Sequence, residues 1–97
     1  MKRPQIKESY IEEAFEQLRK ELDERRAKHG DGLFISDHEI LGKVAEEYDE
    51  LKDAVRGNDR KHVQAELLDV AIGALFGYMS IEQQTYDRES QEEEVDE

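Results

Sequence analysis

The sequence predicts an all-α fold: a helical bundle of three main helices per chain, completed by homo-oligomerisation. Three observations carry that expectation. Apolar residues recur at helical spacing in three long stretches, and turns containing glycine separate them. The third stretch is also apolar around most of its circumference, more than two neighbouring helices of this size would cover.

Pro4 marks the end of a short leading tail. From about Lys7 to His29, Ile11, Phe15, Leu18 and Leu22 fall on one helical face. Ser9, or a residue just before it, is the expected cap, and Gly30-Asp31-Gly32 is the expected stop. Leu33-Phe34-Ile35 follows as an apolar connector too short to be read as a strand. Ser36-Asp37-His38-Glu39 has the pattern of a capping box and opens a second helix, running to about Arg56. Its apolar stripe is Ile40, Leu41, Val44, Tyr48, Leu51 and Val55.

Gly57-Asn58-Asp59 is a turn, with Asn58 or Asp59 able to cap a third helix from Arg60 to about Gln84. On that helix Val63, Leu67, Val70, Ala74 and Tyr78 share one face. Leu68, Ile72, Leu75 and Met79 share another. The remaining sector holds His62, Glu66, Asp69, Gly73 and Gly77. A helix apolar on two faces belongs at the centre of a bundle, and a second copy of the chain is its natural cover.

With 97 residues, 41% of them charged, and a mean hydropathy of -0.97, the composition approaches that of disordered chains. The periodicity argues instead for one folded domain, residues 1–86, followed by an acidic tail, 87–97, expected to be disordered or a frayed extension. The absence of cysteine excludes disulfides, zinc–thiolate sites and thiol catalysis. No apolar run approaches the ~20 residues of a membrane span, and the N-terminus lacks a signal-peptide core, so no membrane partner and a cytoplasmic location are expected. The net charge of -12 speaks against a nucleic-acid polymer as partner. Half of it comes from the tail, where seven acids and one arginine contribute -6. An acidic protein that binds phosphate needs metal ions between the two sets of anions.

The chemistry-bearing residues sit on the second and third helices. Glu47 and Glu50 are three apart and project together, as do Glu66 and Asp69. Acids on an otherwise apolar helix are costly unless they are paired or bind metal. An antiparallel hairpin would bring the two pairs together. Four carboxylates without cysteine suit a hard cation, so Mg²⁺ is the expected cofactor, with Mn²⁺ as a possible substitute. Such an ion would let an acidic pocket accept a polyphosphate. Gly73 and Gly77, one and two turns beyond the acids, would leave room for a flat base or allow the helices to approach closely.

The run Glu46-Glu47-Tyr48-Asp49-Glu50-Leu51, followed by Ala65-Glu66-Leu67-Leu68-Asp69-Val70, resembles the EExxE…ExxD signature of MazG-like nucleoside triphosphate pyrophosphohydrolases. These belong to the all-α NTP pyrophosphatase superfamily. The resemblance covers about Ile35 to Ser80. It implies a helical bundle completed as a homodimer or a dimer of dimers. It also implies Mg²⁺-dependent hydrolysis of a (deoxy)nucleoside triphosphate to the monophosphate and pyrophosphate, a role consistent with nucleotide-pool house-cleaning. By motif position, Glu47, Glu50, Glu66 and Asp69 would be metal ligands, with Glu46, Glu47 and Glu50 the catalytic acids. Glu46 would orient water or stand behind the ligands. Lys43 and His62 are the candidate substrate contacts. Where some members carry lysine one turn before the second acidic pair, this chain has His62, and where members with a longer C-terminal helix draw basic phosphate ligands from it, this chain offers only Arg88.

Blander readings exist for several of these. Lys43, one turn before Glu47, also fits a simple salt bridge, and His62 a helix-start surface residue. A di-iron site would need ExxH on two helices, whereas Asp59-Arg60-Lys61-His62 supplies a single DxxH. The alternative to an enzyme is a non-catalytic helical dimer that senses nucleotide or metal as a regulatory or interaction module.

Overall fold

A computed structural model describes residues 2–95, with side chains through Thr85, and every regular element among the described residues is a helix. The chain divides into two compact units, one ending at Asp31 and the other beginning at Gly32.

The first unit is α1, Glu8–His29. Its N-cap is Lys7, which offers no side-chain acceptor, so the expected cap at Ser9 does not form and Ser9 lies within the helix. The stop is as expected. Gly30 takes φ 85°, a conformation natural to glycine, and its N–H donates to the Arg26 carbonyl at 2.8 Å. On its apolar face Ile11 and Phe15 are exposed, at 38% and 67%, and Leu22 is buried.

The second unit is a hairpin of α2, Asp37–Arg56, and α3, Arg60–Val95. Ser36 Oγ accepts from the Glu39 N–H at 3.2 Å, the first half of the expected capping box. In the turn Asn58, not Gly57, takes the left-handed conformation, with φ 57°. Asparagine tolerates that region better than most side chains. Asp59 caps α3, its Oδ1 accepting from the N–H groups of Lys61 at 3.1 Å and His62 at 3.3 Å. The helix continues past the expected end near Gln84 because the following residues include no glycine or proline to stop it. The side chains of the acidic tail, Arg88 among them, lie outside the described residues.

Small residues line the seam between α2 and α3. Ala54, Gly73, Gly77 and Ser80 are all buried. At Gly77 a Cβ would stand 2.7 Å from Ile40 Cγ2, so this glycine is what lets α2 reach α3 there. The two expected roles of the paired glycines therefore separate. Gly73 is buried too, yet nothing lies within 4 Å of the place its Cβ would occupy.

The connector is tied to α3 through both backbone polar groups of Phe34. Ser80 Oγ accepts from the Phe34 N–H at 3.2 Å and donates to the Phe76 carbonyl at 2.8 Å. Gln84 Nε2 donates to the Phe34 carbonyl at 2.6 Å, and the Phe34 ring meets Phe76 edge-on at 5.4 Å. Phe34 beside Ser80 and Ile40 beside Gly77 fix an antiparallel register that brings Glu47 and Glu50 opposite Glu66 and Asp69.

The expected α2 stripe needs correction. Leu41, Tyr48 and Val55 are more than half exposed, at 67%, 53% and 54%, while Ala54 and Glu47 are buried. That stripe spans two helical faces, and only one of them turns toward α3. On α3, the sector with Glu66, Asp69, Gly73 and Gly77 faces α2, leaving Leu67 and Tyr78 exposed. No helix among the described residues is long and apolar enough to cross a membrane.

Candidate metal centre

Glu47, Glu50, Glu66 and Asp69 each bring one carboxylate oxygen into a cluster whose atoms all lie within 4.8 Å of one another. Helix periodicity supplies each pair, and the register set by Ile40–Gly77 supplies the pairing across the seam. Oxygens on opposite sides of one Mg²⁺ would stand about 4.2 Å apart, so the set is near the size that a single hard cation gathers.

Glu47 is the most buried acid described, with its side chain 8% exposed, and the Glu66 side chain is 13% exposed. The sequence pointed to the α3 acids as the buried ones; the structure puts the deepest on α2, at the centre of the seam. Lys43 Nζ lies 3.3 Å from Glu47 Oε1, and His62 Nε2 lies 3.2 Å from Glu66 Oε1. The second oxygen of each, Glu47 Oε2 and Glu66 Oε2, is buried without a hydrogen-bond partner. A buried acceptor left unsatisfied costs about 1–3 kcal/mol, and more when it is charged, and a cation held between the two oxygens could offset that cost.

Glu50 lies at the exposed side of the cluster. The Glu47 carboxylate raises its pKa, with some loss of surrounding water, the closeness of the two side chains, and the charges of Glu66 and Glu46 adding to the effect. While both are ionised, Glu47 and Glu50 have only acceptors to offer each other. A positive ion among them would remove this repulsion.

Of the expected site residues, the structure gathers Glu47, Glu50, Glu66 and Asp69. Glu46 is exposed and reaches the site only through its charge on Glu50. Lys43 and His62, expected to meet substrate, are engaged with the two buried acids. The sequence reading missed Ser80 and Gln84, whose polar atoms hold the connector. Their i, i+4 spacing on α3 was visible, but their partner is more than forty residues away.

No protein-family model matches the chain, and no curated protein or solved structure is significantly similar to it.

Proposed function

We propose that this chain is a Mg²⁺-dependent nucleoside triphosphate pyrophosphohydrolase, with Mn²⁺ able to substitute. The observation that carries the reading is the pair of buried, unpartnered oxygens on Glu47 and Glu66 inside a four-carboxylate cluster. The resemblance of the EExxE and ExxD runs to MazG-like enzymes supplies the reaction.

Glu47, Glu50, Glu66 and Asp69 would hold the cation. When bound, it would neutralise phosphate charge and make water a better nucleophile near neutral pH. Glu50 and Glu46, on the solvent side, are the bases available to take the proton of the attacking water. Water adds to the α-phosphorus, the bond to the bridging oxygen breaks, and pyrophosphate leaves. The open space over Gly73, one turn beyond Asp69, is where base or sugar would sit.

Homo-oligomerisation belongs to the same proposal. Leu41, Tyr48 and Val55 on α2, with Leu67, Tyr78 and Ile81 on α3, leave two exposed apolar stripes that a second copy would cover.

The test is Mg²⁺-dependent pyrophosphate release across a panel of nucleoside triphosphates. Glu50→Gln and Asp69→Asn should each lower turnover at least 100-fold with helix content unchanged. Turnover equal to the parent in both variants would sink the reading. Metal binding with no release from any nucleotide would favour the sensing module instead.

A further inference from the structure

The two helices carry the same device around the cluster. On α2 the order is Lys43, Glu47, Glu50, and on α3 it is His62, Glu66, Asp69: a nitrogen donor, an acid four residues on, and a second acid three further. In both, the nitrogen meets Oε1 of the middle acid, at 3.3 Å and 3.2 Å, and Oε2 of that acid is the buried oxygen without a partner. A carboxylate can only accept, so His62 Nε2 carries the proton in its contact. Its own backbone N–H donates to Asp59 Oδ1, which anchors the residue in the first turn of α3.

We propose that Lys43 and His62 are positioning residues: each fixes one oxygen of a buried glutamate so that the other is turned toward the cation, and neither contacts the substrate. This rests on the metal-site reading above. A carboxylate free to rotate would present either oxygen and pay the ordering entropy when the ion binds. A carboxylate already held by an outer donor has paid it, and loss of such donors commonly costs 10–100-fold in metal affinity. The arrangement occurs on both helices, one oxygen held by a nitrogen four residues back and the other buried without a partner, and that sets it apart from an incidental surface ion pair. Lys43 also repels a nearby cation, so its removal returns part of what the lost contact costs.

The experiment is a Mn²⁺ titration of the full chain without nucleotide, followed by electron paramagnetic resonance of the free ion. His62→Ala should weaken binding about tenfold. Lys43→Met should weaken it in the same direction but less. His62→Gln and Lys43→Gln keep an N–H donor at i, i+4 and should restore affinity to within about threefold of the parent. Circular dichroism checks that all four variants keep their helices. Unchanged or tighter Mn²⁺ binding in His62→Ala and Lys43→Met would overturn the proposal. So would a raised KM for nucleotide at saturating metal in variants whose metal affinity is intact, because that places the side chains on substrate. Saturable, variant-sensitive Mn²⁺ binding without pyrophosphate release would leave the positioning role standing and remove the catalytic reading. A parent chain that takes up no Mn²⁺ would overturn both the metal site and this inference.

Discussion

The charged cluster at the end of α1 and the one in the α2–α3 seam use similar residue types and reach opposite electrostatic states. On α1, Arg26 grips Asp31 through Nε at 2.7 Å and Nη2 at 3.3 Å, and reaches Asp23 with Nη1 at 3.1 Å. Arg19 takes the other oxygen of Asp23. The hydrogen bond from Arg26 holds the Asp31 carboxyl below the ordinary aspartate range. In the seam, Glu47 and Glu66 each keep a buried oxygen without a partner, and Glu50 is pushed above the ordinary glutamate range, chiefly by Glu47. What separates the two clusters is whether the lone pairs are satisfied within the chain: the exposed α1 pairs answer themselves and are screened by water, whereas Glu47 and Glu66 each keep one buried oxygen unsatisfied.

The largest expected effect comes from breaking that contrast at its deepest point. Glu47→Gln removes one buried charge from the repelling set and should stabilise the metal-free protein by about 1–3 kcal/mol, read from urea unfolding. It should also abolish the rise in stability that Mg²⁺ gives the parent. Asp23→Asn on α1 should do neither. A less stable metal-free Glu47→Gln protein would mean that the seam acid is a structural partner and not an unmet ligand.

Next in size is the packing that sets the register. Gly77→Ala places a methyl group 2.7 Å from Ile40 Cγ2, an overpacking worth about 1–3 kcal/mol. Ile40→Ala in the same chain should recover part of the loss. Additive losses from the two substitutions would contradict the close approach. Ser80→Ala comes below it: the Phe34 N–H loses its acceptor, at a cost of about 1 kcal/mol, with Gln84 still holding the Phe34 carbonyl.

The smallest effect is in pH, and its sign differs between the two clusters. The folded-state pKa of Asp31 lies below its unfolded value, so the Arg26 contact adds stability above the unfolded pKa and loses it as pH falls through the folded one. For Glu50 the folded pKa lies above the unfolded value. Its repulsion is absent at low pH, grows as pH rises through the unfolded pKa, and is complete above the folded one. Carboxyl NMR titration of the metal-free protein should therefore find Asp31 titrating below a model aspartate and Glu50 above a model glutamate. Shifts of the same sign at both would remove the contrast.

What could be read in the sequence was what local rules determine. The stops at Gly30 and Gly57–Asp59, the Ser36 cap, and the i, i+3 pairing of the four acids all follow from neighbours in sequence. The seam was harder to read, because Ala54, Gly73, Gly77 and Ser80 are among its buried positions, residues that add little to a hydrophobic stripe. Leu41, Tyr48 and Val55 stood out in the stripe for their size and are exposed. The Lys43 and His62 contacts were visible as i, i+4 spacings, but which oxygen each would hold was not. That depends on how α2 meets α3, and through it on contacts such as Phe34 with Ser80 that span the hairpin.

The most direct measurement of the central claim is Mn²⁺ uptake by the parent chain, by Glu47→Gln and by the α1 variant Asp23→Asn under identical conditions. The seam account predicts saturable binding in the parent and in Asp23→Asn, with at least a tenfold loss in Glu47→Gln. Equal uptake by all three proteins would contradict it.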